Sequence, residues 1–506
     1  MKPRASRTRT VPGRTDHVVI VGAGVSGLAA ALHLLGAGRS VTVVERDGHP
    51  GGRAGREDAD GFRLDTGPTV LTMPDLIDEA LSAVGDSLGR RLELVRLDPA
   101  YRARFPDGSA IDVHTDPEAM AEEVARTAGG RDALGYLRLR DWLSRLYRLQ
   151  MRSFIDANFD SPLGVLTPEL ARLAAMGGFG RLAPAIGCFV SDERLRRIFS
   201  FQSLYAGVAP QRALAAYAVI AYMDTVAGVY FPKGGMRTLG DALAGAVADA
   251  GGTLHYGRRV HRLERRGDRI TAVETADGSR IGCDAVVLTP DLPMSYRLLG
   301  RTPWRPAPLR FSPSAVVLHA GVDRAWSGTQ HHTISFGAAW ERTFDEICRR
   351  GTTMSDPSLL ITRPTATDPG LAPPGRELYY VLAPCPNLRT GRIDWERAAG
   401  GYRDGLVRTL EERGFEGFGS AVVTERLTTP LDWSRRGMAF GTPFAAAHTF
   451  AQTGPFRPRN TVAGTSNAVL AGCGTTPGVG LPTALVSGKL AAARITGGAA
   501  AEKGAR

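Results

Sequence analysis

Short apolar runs and longer stretches of helical spacing divide this chain. The unbroken runs Val18 to Val21, Val41 to Val44 and Ala285 to Leu288 suit strands buried on both faces of a parallel sheet. A helix is predicted between the first two runs, giving strand, helix, strand from His17 onward. Further strands are predicted at Thr253 to Tyr256, Val260 to Glu264 and Ile270 to Thr275, and Leu92 to Val113 reads as strands turning at Asp107 and Gly108. From Ser314 to about Leu427, the runs AVVLHAGV, HHTISFG and LYYVLAPCP predict a second sheet with crossing helices. Between Asp116 and about Ala227 the spacing is helical, notably at Tyr136 to Phe154 and Asp192 to Leu204. The last stretch, Ala468 to Ile495, predicts a strand, a glycine loop and a helix opening near Gly480.

Glycines mark where the first strand hands over to its helix. Gly22, Gly24 and Gly27 stand at G-x-G-x-x-G spacing directly behind Val21. Gly22 permits the tight turn, Gly24 lets the backbone approach a pyrophosphate, and Gly27 lets the helix pack closely on the sheet. The pyrophosphate then meets free N–H groups at the helix N-terminus. Glycine spacing of this kind also arises in ordinary turns, so its context matters. Glu45 ends the second strand, where an acidic side chain accepts hydrogen bonds from ribose hydroxyls and disfavours a 2′-phosphate. Gly51, Gly52 and Arg53 follow and offer further N–H donors and a cation to a diphosphate.

At 506 residues the chain is long enough for two or three domains and a large cofactor. Residues 1–15 are basic and polar and read as a loose tail rather than a secretory signal. No segment offers the ~18 uninterrupted apolar residues of a spanning helix, and the nearest, Ala213 to Met223, stops at Asp224. The formal charge of +11 suits nucleic acid or an anionic membrane equally. The absence of a nucleic-acid module lowers the first option. Arginines at Arg172, Arg181, Arg196, Arg197 and Arg212 border the apolar stretches Met176 to Val190 and Ala213 to Met223, a makeup for an interfacial surface or for ordinary packing. Five scattered cysteines without a C-x-x-C pair argue for a reducing compartment and against a disulfide framework or metal site. His331 and His332 are expected on opposite faces of a strand, which leaves one zinc unable to take both easily.

The glycine motif, Glu45 and GGR together resemble the extended dinucleotide motif of FAD enzymes in the amine oxidase and carotenoid desaturase group. DTGPTVLTMPDL, FSFQSLYAG, GVYFPKGGM, HHTISFG, FRPRN and GCGTTPGVGLP are similar to segments of bacterial-type phytoene desaturases, and the resemblance spans His17 to Ile495. It implies an α/β fold: a Rossmann-type, amine oxidase-like FAD-binding domain, a substrate-binding β-sheet domain and a helical membrane-facing insert. The expected division is residues 16–91, 232–300 and 462–497 for FAD, 92–115 and 301–461 for substrate, and 116–231 for the helical cap. Carried over residue by residue, the cofactor contacts are Gly22, Gly24, Ser26, Gly27, Glu45, Arg46, Gly51, Gly52 and Arg53 at the first loops. Gly67, Pro68 and Thr69 are expected beside the flavin, Val260 at the adenine, and Gly474, Gly480, Leu481 and Pro482 at the closing helix. Thr476 and Thr483 depart from residues found in many members and bear on the number of steps.

The resemblance further implies FAD-dependent removal of hydrogen pairs from phytoene, a C40 polyene, toward neurosporene or lycopene. No catalytic side chain is assigned, no metal is expected, and reduced flavin is returned by oxygen or a quinone. The expected partners are the polyene and a membrane lipid surface, with no nucleic acid and with a homo-oligomer left open; the expected place is cytoplasmic, peripheral on the inner face of the cell membrane. The alternatives are another FAD enzyme of carotenoid synthesis, an amine or porphyrinogen oxidase, and a non-enzymatic prenyl-binding protein, against which the intact Glu45 and GGR speak.

Overall fold

The computed structural model describes residues 9–303, 305 and 307–497. A five-stranded parallel sheet carries the first domain, in the spatial order Ala468–Leu470, Ala285–Leu288, β1 (His17–Val21), β2 (Ser40–Val44), Thr253–His255. The apolar runs read from the sequence are its central strands, and Val18, Val19, Ile20, Val43, Val286 and Val287 are fully buried. Burial on both faces explains why these strands are continuous apolar runs rather than alternating ones. α1 (Val25–Gly36) packs along one face against α2 (Leu481–Thr496), so the last helix returns to the first. Strands Val260–Arg266, Arg269–Thr275 and Arg280–Gly282 form a separate antiparallel sheet.

The second domain is built on seven strands, Val422–Thr428, Ser314–Val322, Glu377–Cys385, Leu359–Thr362, His332–Ser335, Tyr101–Arg104 and Ala110–Val113 in that spatial order. The hairpin at Asp107 and Gly108 joins the last two, with Tyr101 opposite Val113. Leu94–Arg96 does not join them: it pairs with Tyr230–Pro232, and Tyr230 donates from its backbone to Leu71 at 2.8 Å.

Several expectations are corrected. Arg9–Thr15 are not loose: Val11 N–H donates to Arg494 O at 2.8 Å, and the buried Arg494 donates to Arg9 O at 2.8 Å and to Asp160 at 2.6 Å. Residues 1–8 of the expected tail lie outside the described residues. The helix expected at Asp192 to Leu204 is two pieces, Glu193–Ile198 and the 3₁₀ turn Phe201–Leu204. The Ser200 hydroxyl donates to Arg196 O at 2.6 Å, a local bond that competes with helix continuation. Of the two readings of Ala213 to Met223, the packing one holds at Ala215, Ala218 and Ala221, which are buried. Arg197 does not face outward: it is buried, donates to Gly337 O at 2.8 Å, pairs with Glu193 and lies 5.7 Å over the Trp340 ring. His331 and His332 do not diverge, for their rings sit 4.6 Å apart because only His332 belongs to the strand.

The contact between α1 and α2 is closest at Gly488, where an added Cβ would stand 2.3 Å from Ser26 O and 2.8 Å from Ala30 N. Gly488→Ala is therefore expected to push the helices apart, with a cost of about 1–3 kcal/mol. A lowered thermal midpoint beside wild type checks this; an unchanged midpoint shows that the helices have room to separate.

Candidate functional site

The loops behind β1 and β2 meet at the carboxyl ends of the parallel strands. Backbone closeness governs each of them. A Cβ on Gly27 would stand 2.1 Å from Gly22 O, so helix and turn can approach only here without one. Gly24 caps α1 with no side chain over the helix end, and its Cβ direction is open as far as the Gly52 Cα at 3.9 Å. Gly51 N–H donates to Ala23 O at 2.9 Å, which lays the second glycine pair beside the first loop. Gly67 closes the same corner from behind: a Cβ there would lie 1.8 Å from Arg53 O.

Glu45 is buried at the end of β2, and its carboxylate accepts from Ala23 N–H at 2.6 Å and from Asp47 N–H at 2.9 Å. It thus ties the first glycine loop to its own turn while keeping lone pairs for further donors. Arg258 N–H donates to Glu45 O at 2.8 Å, bringing the segment before Val260 to this end of the site. Arg46 donates to Arg436 O at 2.6 Å, and Arg53 donates to Pro443 O at 2.8 Å with Asp291 at 3.6 Å. Both arginines therefore link the loops to the segment 436–443. Ser26 is buried beneath α2.

The second half of the site is the loop 471–480 and the start of α2. Gly480 is the N-cap residue, at the position expected, with φ +126°, and Leu481 and Pro482 form the first turn. Gly474 lies against Leu292, 2.9 Å from where its Cβ would be. Thr69 is buried on the opposite side and accepts from the Thr362 hydroxyl at 3.0 Å.

Residues outside the expected set complete the site. Asp65, within DTGPTVLTMP, is buried and accepts from Met236 N–H at 2.8 Å, capping the helix Arg237–Asp249. It joins two of the segments that carried the resemblance. Burial pushes its carboxyl up to about 6, against the pull of those backbone donors. Arg457 is buried with carbonyls as its partners, donating to Cys473 O at 2.6 Å and Thr475 O at 2.9 Å, and burial brings it down to about 10. It holds the closing loop. FRPRN carries this arginine, but nothing in its pattern marks it as buried.

A bare helix N-terminus, the open space between Gly24 and Gly52, and a second bare helix N-terminus at Gly480 fit a long diphosphate cofactor such as FAD. Gly22, Gly24, Gly51 and Gly52 would flank the diphosphate, Glu45 the ribose, and the loop 67–69 with the start of α2 the flavin end.

The model of the flavin-containing amine oxidoreductase family matches residues 25–496. A phytoene dehydrogenase from Streptomyces griseus is 69% identical over 490 residues, covering 96% of each chain. A zeta-carotene-forming phytoene desaturase from Myxococcus xanthus is 35% identical, over 94% of this chain and 93% of its own. Among solved structures, an oxidoreductase from Methanosarcina mazei superposes with a TM-score of 0.60 at 17% identity, over 94% of this chain and 99% of that one.

Two substitutions test the bed. Gly24→Val places a branched side chain in the open space and is expected to abolish FAD binding while the protein still folds; purification with full flavin absorbance would show that the diphosphate does not pass there. Glu45→Gln replaces one acceptor with a donor facing an N–H, and should weaken FAD binding by about 1–2 kcal/mol in a flavin titration. Unchanged affinity would leave Glu45 with a role in the loop alone.

Proposed function

We propose, since the chain belongs to the flavin-containing amine oxidoreductase family, that it is an FAD-dependent carotenoid desaturase that dehydrogenates phytoene. The observation that carries this reading is the full-length likeness to a phytoene dehydrogenase, joined to a site whose glycine loops fit FAD. When bound, FAD supplies acceptance of a hydride from an allylic carbon. The chain's own residues hold, orient and dry the reacting carbons. Aromatic rings pack where the seven-stranded sheet meets the insert, Tyr101 against Phe201 at 5.8 Å, with Phe105 stacked on Phe336 at 5.1 Å beside the sheet and Tyr147 on Tyr222 at 4.3 Å within the insert. An apolar, aromatic interior of this kind suits a hydrocarbon substrate and excludes water.

The substrate also bears on location. Phytoene is a hydrocarbon that partitions into bilayers, whereas no helix among the described residues is long and apolar enough to cross one. A peripheral membrane position, on the cytoplasmic face, would bring the enzyme to its substrate. The surface that supports this is not the one around Arg196 and Arg197. It is formed by the neighbouring turns Pro162–Val165, Phe450–Gln452 and Gly454–Phe456, where Leu163, the following Leu166, Phe450 and Phe456 are 73%, 69%, 61% and 45% exposed. Apolar tips on a chain of net charge +11 favour an anionic lipid surface.

Activity on phytoene is therefore expected to need liposomes and to rise with anionic lipid. Salt should release the protein only partly, because screening leaves the apolar contribution in place. Leu163→Asp combined with Phe450→Asp should lower liposome cosedimentation before flavin content falls. A protein that never cosediments, yet desaturates detergent-dispersed phytoene at full rate, would contradict the docking surface.

A further inference from the structure

A group of buried polar atoms without partners lies where the sheet, the insert and the flavin end of the bed converge. The Asp224 Oδ2, Tyr101 hydroxyl, Gln202 Oε1, Ser203 Oγ and His332 Nε2 are all buried with no hydrogen-bond partner in the protein. Asp224 is 3% exposed and sits in the π turn Met223–Ala227, just before the strand that pairs with Leu71. π turns inside helices recur at functional sites. Two chains of contacts connect this group to the residues expected at the flavin end. On one side the His332 ring lies 5.5 Å from Tyr101, His332 Nδ1 meets the Thr362 hydroxyl at 3.0 Å, and Thr362 donates to Thr69. On the other, Tyr205 acts on Asp224, the adjoining Ala206 O accepts from His448 N–H at 2.8 Å, and His448 Nε2 accepts from Val479 N–H at 3.4 Å in the closing loop.

A carboxylate is costly to bury without donors, so an unpartnered one amid aromatic rings needs a purpose. We propose that Asp224 is the base of the desaturation, a role that rests on the reading of this chain as a phytoene desaturase. The substrate gives up a hydride, with both electrons of one C–H bond, to the oxidised FAD. The C–H bond on the adjacent carbon then breaks: its electron pair closes the new C=C bond and its proton bonds to the Asp224 carboxylate. Loss of that proton to solvent, and return of the reduced flavin by oxygen or a quinone, completes the balance.

The titratable groups acting on Asp224 are Tyr101 from its strand and Tyr205 after its short turn, with His332 and Tyr380 behind them. The Tyr101 hydroxyl faces the carboxylate and lowers its proton affinity, yet closes no hydrogen bond with it. Burial outweighs that effect and pushes the carboxyl up to about 7. His332 is neutral, held down to about 3 by burial, and supplies no opposing charge. A base near neutrality is matched to accepting a proton at working pH. Its active form is the carboxylate, so desaturation should rise as pH increases through about 7 and level off above it.

The test uses holoenzyme on phytoene-loaded liposomes, together with infrared difference spectra of the protonated carboxyl band. Asp224→Asn should keep its flavin and lower turnover about 100-fold or more, and Asp224→Glu should recover to within about tenfold of wild type. The wild-type band should titrate with the same midpoint as turnover and vanish in Asp224→Asn. An Asn variant within about threefold of wild type, or an unchanged band in that variant, overturns the assignment. Should the Asn variant lose its flavin, the wild type decides: coincident midpoints for band and turnover support the base, and a pH-independent rate overturns it. Wild-type holoenzyme inert toward phytoene sinks the desaturase reading and the base with it, whereas loss confined to the variants bears on Asp224 alone.

Discussion

Backbone approaching backbone more closely than any side chain permits is the constraint on which this structure depends. An anionic cofactor can be gripped by N–H groups only where those groups are bare, and bare backbone is held in place by packing against other backbone. Gly27 against Gly22, Gly67 against Arg53 and Gly488 against Ser26 are three such contacts, at 2.1, 1.8 and 2.3 Å from the Cβ that each lacks. They draw together segments from the beginning and end of the chain. A discontinuous domain is the outcome, with the second sheet and the insert carried on the long excursions between its parts.

The same requirement shapes the polar groups. Glu45 and Asp65 spend their carboxylates on backbone donors, Ala23 and Asp47 for the first, Met236 for the second, and so fix loops rather than float in solvent. Arg457 does the reverse, giving its N–H groups to the carbonyls of the closing loop. The cluster around Asp224 and Tyr101 differs from these groups in gathering several unpartnered polar atoms, a carboxylate among them, beside packed aromatic rings.

Much of this was legible in the chain itself. Continuous apolar runs marked β1, β2 and Ala285–Leu288 because both faces of those strands are covered, and Gly480 marked the start of α2 because a bare cap needs no side chain. The order of the seven-stranded sheet was not legible, since Tyr101–Arg104 meets His332–Ser335 across nearly half the chain. Charged residues misled for a related reason. Arg197 looked like its exposed neighbour Arg196, and only the distant Gly337 and Trp340 decide that one is buried. Asp224 looked like the end of an apolar stretch, although it is itself buried with that stretch.

The central claim is that flavin on this chain takes hydrogen from a polyene. It is tested most directly by mixing the purified, oxidised holoenzyme with phytoene-loaded liposomes without oxygen, and following flavin and polyene absorbance together. The account predicts that flavin bleaches as conjugation lengthens, one equivalent of reduced flavin for each double bond formed. Flavin that stays oxidised while phytoene stays colourless, in a preparation whose flavin still bleaches with a chemical reductant, would contradict it.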